Sequence, residues 1–86
     1  MYKIEYSNRA KDFLKRLDKH ILERLLNRIE RLEQDSVPSD SKFIGRESGE
    51  KVFRYRAGDY RVLYILQEDE KIVLVTKIDK RAKIYD

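Results

Sequence analysis

The sequence predicts an α+β domain with the order β-α-α-β-β-β, an N-terminal strand and a helical hairpin followed by an antiparallel β-meander, from two patterns. Residues 51–67 alternate polar and apolar side chains around a Gly58-Asp59 pair, the signature of a β-hairpin. Residues 7–32 carry two apolar stripes at helical spacing. Short amphipathic helices are marginal alone and need a surface to cover, so both are expected on one face of a mostly antiparallel sheet. With 86 residues the chain has room for one domain, residues 1–86, and a single small core.

Residues 2–6 read Tyr-Lys-Ile-Glu-Tyr, an alternation that fits a half-buried strand. Ser7 suits the N-cap of a first helix whose stripe is Ala10, Phe13, Leu14 and Leu17. Asp18 suits the cap of a second helix, with Ile21, Leu22, Leu25, Leu26, Ile29 and Leu32 on one side and charged residues on the other. Residues 34–50 are polar, hold Pro38, Gly45 and Gly49, and read as a long connection with Lys42-Phe43-Ile44 pinned against the body. Three strands follow, over residues 51–57, 60–67 and 71–78, and a short basic tail from Lys80 ends in Tyr85-Asp86.

If Gly58-Asp59 is the two-residue loop, Gly in first place suits a type II′ turn. Ala57 then pairs with Tyr60, Arg56 with Arg61, Tyr55 with Val62 and Arg54 with Leu63. Arg54, Arg56 and Arg61 project from one face, while Phe53, Tyr55, Tyr60, Val62 and Tyr64 project from the other. Like charges directly opposite on a sheet repel, by roughly 0.2–1 kcal/mol a pair. The cluster therefore fits an anion better than it fits stability. Past Arg61 the same face carries Leu63 and Ile65, with Val73, Val75 or their neighbours on the adjacent strand. If the helices cover the opposite face, this apolar strip needs a partner segment.

Composition narrows the chemistry. The chain has no cysteine and one histidine, His20, so a disulfide framework, a thiolate metal site and a His-pair catalytic site are not expected, nor is any cofactor. No apolar run approaches the roughly 20 residues that span a bilayer, and no secretory leader is evident, so a cytoplasmic protein without a membrane partner is expected. The net charge of +4 is unevenly spread. Residues 1–50 hold 11 basic and 10 acidic side chains; residues 51–86 hold 9 and 6, with four of those acids in the expected turns. Such a bias points to a polyanionic partner.

The string Arg54-x-Arg56-x-Gly58-Asp59-Tyr60-Arg61-Val62-x-Tyr64, with Lys80-Arg81-x-x-x-Tyr85 about twenty residues later, resembles the RelE/ParE toxin superfamily. Lys42-Phe43-Ile44-Gly45 also resembles that family's L-x-G element. The resemblance spans the whole chain and implies the toxin of a type II toxin–antitoxin pair. RelE-like members cut mRNA in the ribosomal A site and are wrapped by a small RelB-like antitoxin, which would cover the apolar strip. ParE-like members share the fold but poison DNA gyrase, and fold alone does not choose between them.

Under the RelE-like reading the 2′-OH attacks the adjacent phosphate, a reaction that asks for a base, positive charge on the phosphate and an acid. The resemblance gives Arg61 the phosphate, Arg81 charge stabilisation and leaving-group protonation, and Tyr85 stacking or 2′-OH orientation. Arg54 joins them as a catalytic candidate, and Arg56, Lys51 and Lys80 as RNA-binding candidates. The chain departs from the family at the base. Two family lysines are replaced by Val52 and Arg54, and an arginine keeps its proton. Lys51, Lys80 and Tyr85 remain as candidates, although Lys51 should face away from Arg54. A catalytically weakened relic is the remaining alternative.

Overall fold

Ser7 sits where the first strand turns into the first helix, and its side chain holds both. The computed structural model describes residues 1–80. Strand β1 (Lys3–Tyr6) leads into α1 (Asn8–Lys15), where Ser7 Oγ accepts from Ala10 N at 3.1 Å and donates to Thr76 O at 2.9 Å. The predicted cap is therefore also a tie to the sheet. Helix α2 (Lys19–Glu30) has Asp18 at its N-cap, without a side-chain capping bond, and runs into a 3-10 turn over Arg31–Glu33. The sheet is completed by β2 (Ser41–Glu47), β3 (Glu50–Ala57), β4 (Tyr60–Gln67) and β5 (Ile72–Lys80), in the order β1-β5-β4-β3-β2. Among the described residues only the β1–β5 pairing is parallel.

The α+β class and its helix–helix–meander order are as the sequence predicts, with one strand more. Residues 41–47, expected within a connection, form the edge strand β2 paired to β3. A bulge between Phe43 and Gly45 breaks the period-2 alternation, and the strand has few apolar residues, so pattern alone reads it as loop. The β2–β3 link is a two-residue turn with Ser48 and Gly49 both at positive φ (51° and 84°), a type I′ geometry.

Both helices cover one sheet face. Ala10 and Leu14 of α1, Leu25 and Ile29 of α2, and Leu32 meet Phe53, Tyr55, Ala57, Val62, Tyr64, Leu66, Val73, Val75 and Ile78. Ile29, Leu32, Val62, Val73 and Val75 are wholly buried, each worth roughly 1.5–3 kcal/mol of transfer from water. Two core tyrosines keep their hydroxyls satisfied: Tyr55 Oη donates to Arg28 O at 3.1 Å and Tyr64 Oη to Ser36 O at 2.6 Å. Burial pushes the Tyr64 phenol up to about 12. Half-buried Tyr6 is pushed up to about 12 as well, by desolvation first and then by the negative charges of Glu30 and Glu33.

On the open face the apolar strip consists of Val52, Leu63, Ile65 and Leu74, because Val73 and Val75 face the helices. It is narrower than expected. Val52, Ile65 and Leu74 flank one another in a single cross-strand row, and Ile65 is buried. The large exposed apolar side chains lie elsewhere, at Met1, Val37, Phe43 and Ile44. A second bulge, between Leu63 and Tyr64, leaves Thr76 of β5 without a partner in the register, and Thr76 Oγ1 donates to Leu63 O at 3.3 Å.

Candidate functional site

Strands β3 and β4 meet in the expected register, Arg54 with Leu63, Tyr55 with Val62, Arg56 with Arg61 and Ala57 with Tyr60. Gly58 has φ +64° and Asp59 does not have positive φ, which is the type II′ turn. A Cβ at Gly58 would meet nothing within 4 Å, so its requirement is conformational rather than steric. That turn fixes the alternation and places Arg54, Arg56 and Arg61 on the face opposite the helices.

The three arginines differ in setting. Arg56 is exposed, Arg54 half-buried, and Arg61 only 2% exposed, the one charged side chain buried so deeply among the described residues. A guanidinium keeps its charge under such burial, so Arg61 presents a fixed positive group in a poorly hydrated place. Asp79 of β5 stands opposite Arg61 on its other side.

Beyond the edge of β3, the newly found strand adds to the site. Lys42 of β2 stands opposite Arg54, and Arg56 N donates to Asp40 O at 3.2 Å. Ser39, Asp40, Ser41 and Lys42 join Arg54, Arg56 and Arg61 around an open cleft of about 300 Å3. Sequence reasoning missed these four residues as site candidates. The signal that could have found them is Ser48-Gly49, a hairpin dipeptide that folds residues 41–47 back along β3.

The other candidates lie apart. Lys51 is on the helix-side face, opposite Leu66 and Arg46, with Nζ 4.0 Å from Glu68 Oε2. It faces away from Arg54, as alternation requires, and the structure does not bring it into the cleft. Lys80, exposed at the end of β5, lines a second cleft of about 290 Å3 between α2 and the hairpin tip, with His20, Arg24, Arg28 and Asp59. Arg81 and Tyr85 lie outside the described residues. Among the described residues no helix is long and apolar enough to cross a membrane.

Comparisons with known proteins bear on the fold and the family. Residues 4–85 match the family model of the ParE toxin of the parDE type II toxin–antitoxin system. A protein of Methanocaldococcus jannaschii named RelE1, assigned as a candidate toxin, is 31% identical over 85 residues, covering 98% of this chain and 94% of the relative. The RelE–RelB complex from Pyrococcus horikoshii superposes with a TM-score of 0.82 at 26% identity, covering 96% of this chain and 98% of the other. The RelBE2 toxin–antitoxin complex of Mycobacterium tuberculosis gives 0.77 at 25% identity, covering 93% and 98%. Matched along nearly its whole length, the chain belongs to the RelE/ParE superfamily and is a toxin of a type II toxin–antitoxin system.

Proposed function

We propose that this toxin is a ribosome-dependent endoribonuclease that cleaves mRNA in the A site, in the cytoplasm. The observation that carries the reading is the cleft in which Arg54, Arg56, Arg61 and Lys42 converge on the open sheet face. Four cations around one concavity suit a phosphodiester whose negative charge grows in the transition state. The 2′-oxygen forms a bond to phosphorus and the bond to the 5′-oxygen breaks, giving a 2′,3′-cyclic phosphate and a 5′-hydroxyl.

Arg61, buried and with its orientation set by the β3–β4 ladder, takes the phosphoryl oxygens through its fork of donors. Arg54 backs it on the neighbouring strand, and exposed Arg56 holds the RNA backbone, while Lys80 could meet RNA only from the separate cleft beside α2. Arg81 and Tyr85 keep the roles that the family resemblance gives them, leaving-group protonation and base stacking. Lys51, on the far face beside Glu68, has no part in this cleft.

A RelB-like antitoxin is the expected partner, by analogy with the RelE–RelB complexes that share this fold. Phe43 and Ile44, 51% and 45% exposed on the edge strand, offer it apolar surface.

The match to the ParE model favours a second reading, inhibition of DNA gyrase by protein binding. Primer extension on mRNA programmed into purified ribosomes, with free RNA as control and a gyrase supercoiling assay alongside, separates the two. Cuts only on ribosomes, lost in Arg61→Ala, support the nuclease. Blocked supercoiling without cuts supports the gyrase inhibitor.

A further inference from the structure

The arginines of the cleft cannot accept a proton, and the strand residues that supply the family's base are Val52 and Arg54 here. Guanidinium and ammonium groups donate and do not accept, and serine hydroxyls are weak bases. Among the residues that line the cleft, Asp40 contributes the one carboxylate. We propose that Asp40 is the general base of the cleavage reaction. This inference rests on the nuclease reading above and adds to it the group that starts the chemistry.

Asp40 is held from two sides. Its carbonyl oxygen accepts from Arg56 N at 3.2 Å, which ties its backbone to the end of β3. Its Oδ2 lies 3.9 Å from Arg28 Nη2 of α2. Arg28 is itself fixed against β3: its carbonyl accepts from Tyr55 Oη at 3.1 Å, and its Nη2 lies 3.5 Å from Arg56 O. The turn before β2 adds rigidity, since Ser41 N and Oγ both donate to Pro38 O, at 2.9 and 2.7 Å. An ion pair this exposed adds little stability. Its effect is to fix the direction of a carboxylate on a residue that lines the cleft, with a side chain 54% exposed to solvent.

The step balances without a further reactant. The Asp40 carboxylate takes the 2′-O–H proton as the oxygen bonds to phosphorus. The leaving 5′-oxygen takes its proton from the leaving-group acid, the role given to Arg81 above, and the Asp40 carboxylic acid returns a proton to that group through water. Arg54 and Arg61 neutralise the phosphoryl charge throughout. The charged groups around Asp40 are Arg28 from α2, Lys42 from β2, Arg54 and Arg56 from β3, and Arg61 from β4.

The test is single-turnover cleavage of mRNA on purified ribosomes, from pH 4.5 to 8.5, by the wild type, Asp40→Asn, Asp40→Glu and Lys42→Ala. Circular dichroism checks that each variant folds. Asp40→Asn should cleave about 100-fold slower or worse, lose the rise in rate along the acidic limb, and bind the complex as tightly as the wild type or more tightly. The last result separates a base from a structural residue, because removing a negative charge from a basic cleft does not weaken RNA binding. Asp40→Glu should recover part of the rate. Equal rates for wild type and Asp40→Asn overturn the proposal, as does a loss of binding that accounts for the slower rate. A loss confined to Lys42→Ala assigns the base to Lys42 and overturns it too. A wild type that does not cut, on ribosomes or off, overturns the nuclease reading itself and this proposal with it.

Discussion

Arg56 and Arg61 stand directly opposite each other across the β3–β4 ladder, on the sheet face that the helices leave open. Two like charges in facing positions oppose folding and favour an anion between or above them. Stability and binding should therefore move in opposite directions when one is removed. Arg56→Thr should stabilise the free protein by roughly 0.2–1 kcal/mol, a melting temperature higher by about 1–8 °C for a domain this small. The same variant should weaken RNA binding and flatten its salt dependence by about one phosphate contact. Differential scanning calorimetry and binding titrations over a salt series read the two effects.

Charge alone is not enough at Arg61. Arg61→Lys keeps the charge but loses the two-pronged donor geometry. Its cleavage rate on ribosomes should fall about 100-fold or more, with little change in binding. A lysine variant that cuts at the wild-type rate would mean that Arg61 contributes only a diffuse field.

Ser7 should matter more than an ordinary cap. Ser7→Ala removes the acceptor for Ala10 N and the donor to Thr76 O together. The expected loss is about 1–2 kcal/mol, seen as a lower urea midpoint at unchanged slope.

The tyrosines give a pH dependence whose sign is fixed. Tyr6 and Tyr64 are each pushed up to about 12 in the folded protein, against an ordinary value near 10. Between those values the folded state holds protons that the unfolded chain has lost, so stability falls as pH rises from about 10 to 12 and does not depend on these groups below 10. Tyr6→Phe should flatten that decline. Urea titrations at pH 9, 10.5 and 11.5 test this, with tyrosinate absorbance reporting the ionisation.

Much of this fold is legible in the sequence because its signals are local. Gly58-Asp59 sets the hairpin register, and with it the face on which Arg54, Arg56 and Arg61 lie. Ser7 and the Leu25/Ile29/Leu32 stripe place the helices and the core. Strand β2 is not legible by the same means. It is an edge strand, its bulge at Phe43–Gly45 interrupts the alternation, and it exposes Phe43 and Ile44 rather than burying them. Missing β2 meant missing half of the cleft, because Asp40 and Lys42 reach the arginines only through non-local pairing. The cross-strand position of Asp79 beside Arg61 likewise depends on the bulge at Thr76, which no pattern in residues 71–78 announces.

That bulge makes β5 a strand with two phases. Before Thr76 the odd-numbered residues Val73 and Val75 point to the helices; after it the even-numbered Ile78 does, and Asp79 joins the arginine face. A one-residue deletion at Thr76 would therefore remove the bulge and restore plain alternation, leaving Lys77 and Asp79 on the arginine face and Ile78 toward the helices. The strand thus carries one residue more than its pairing needs, and the loss of that residue should cost β5 its kink but none of its inward or outward assignments.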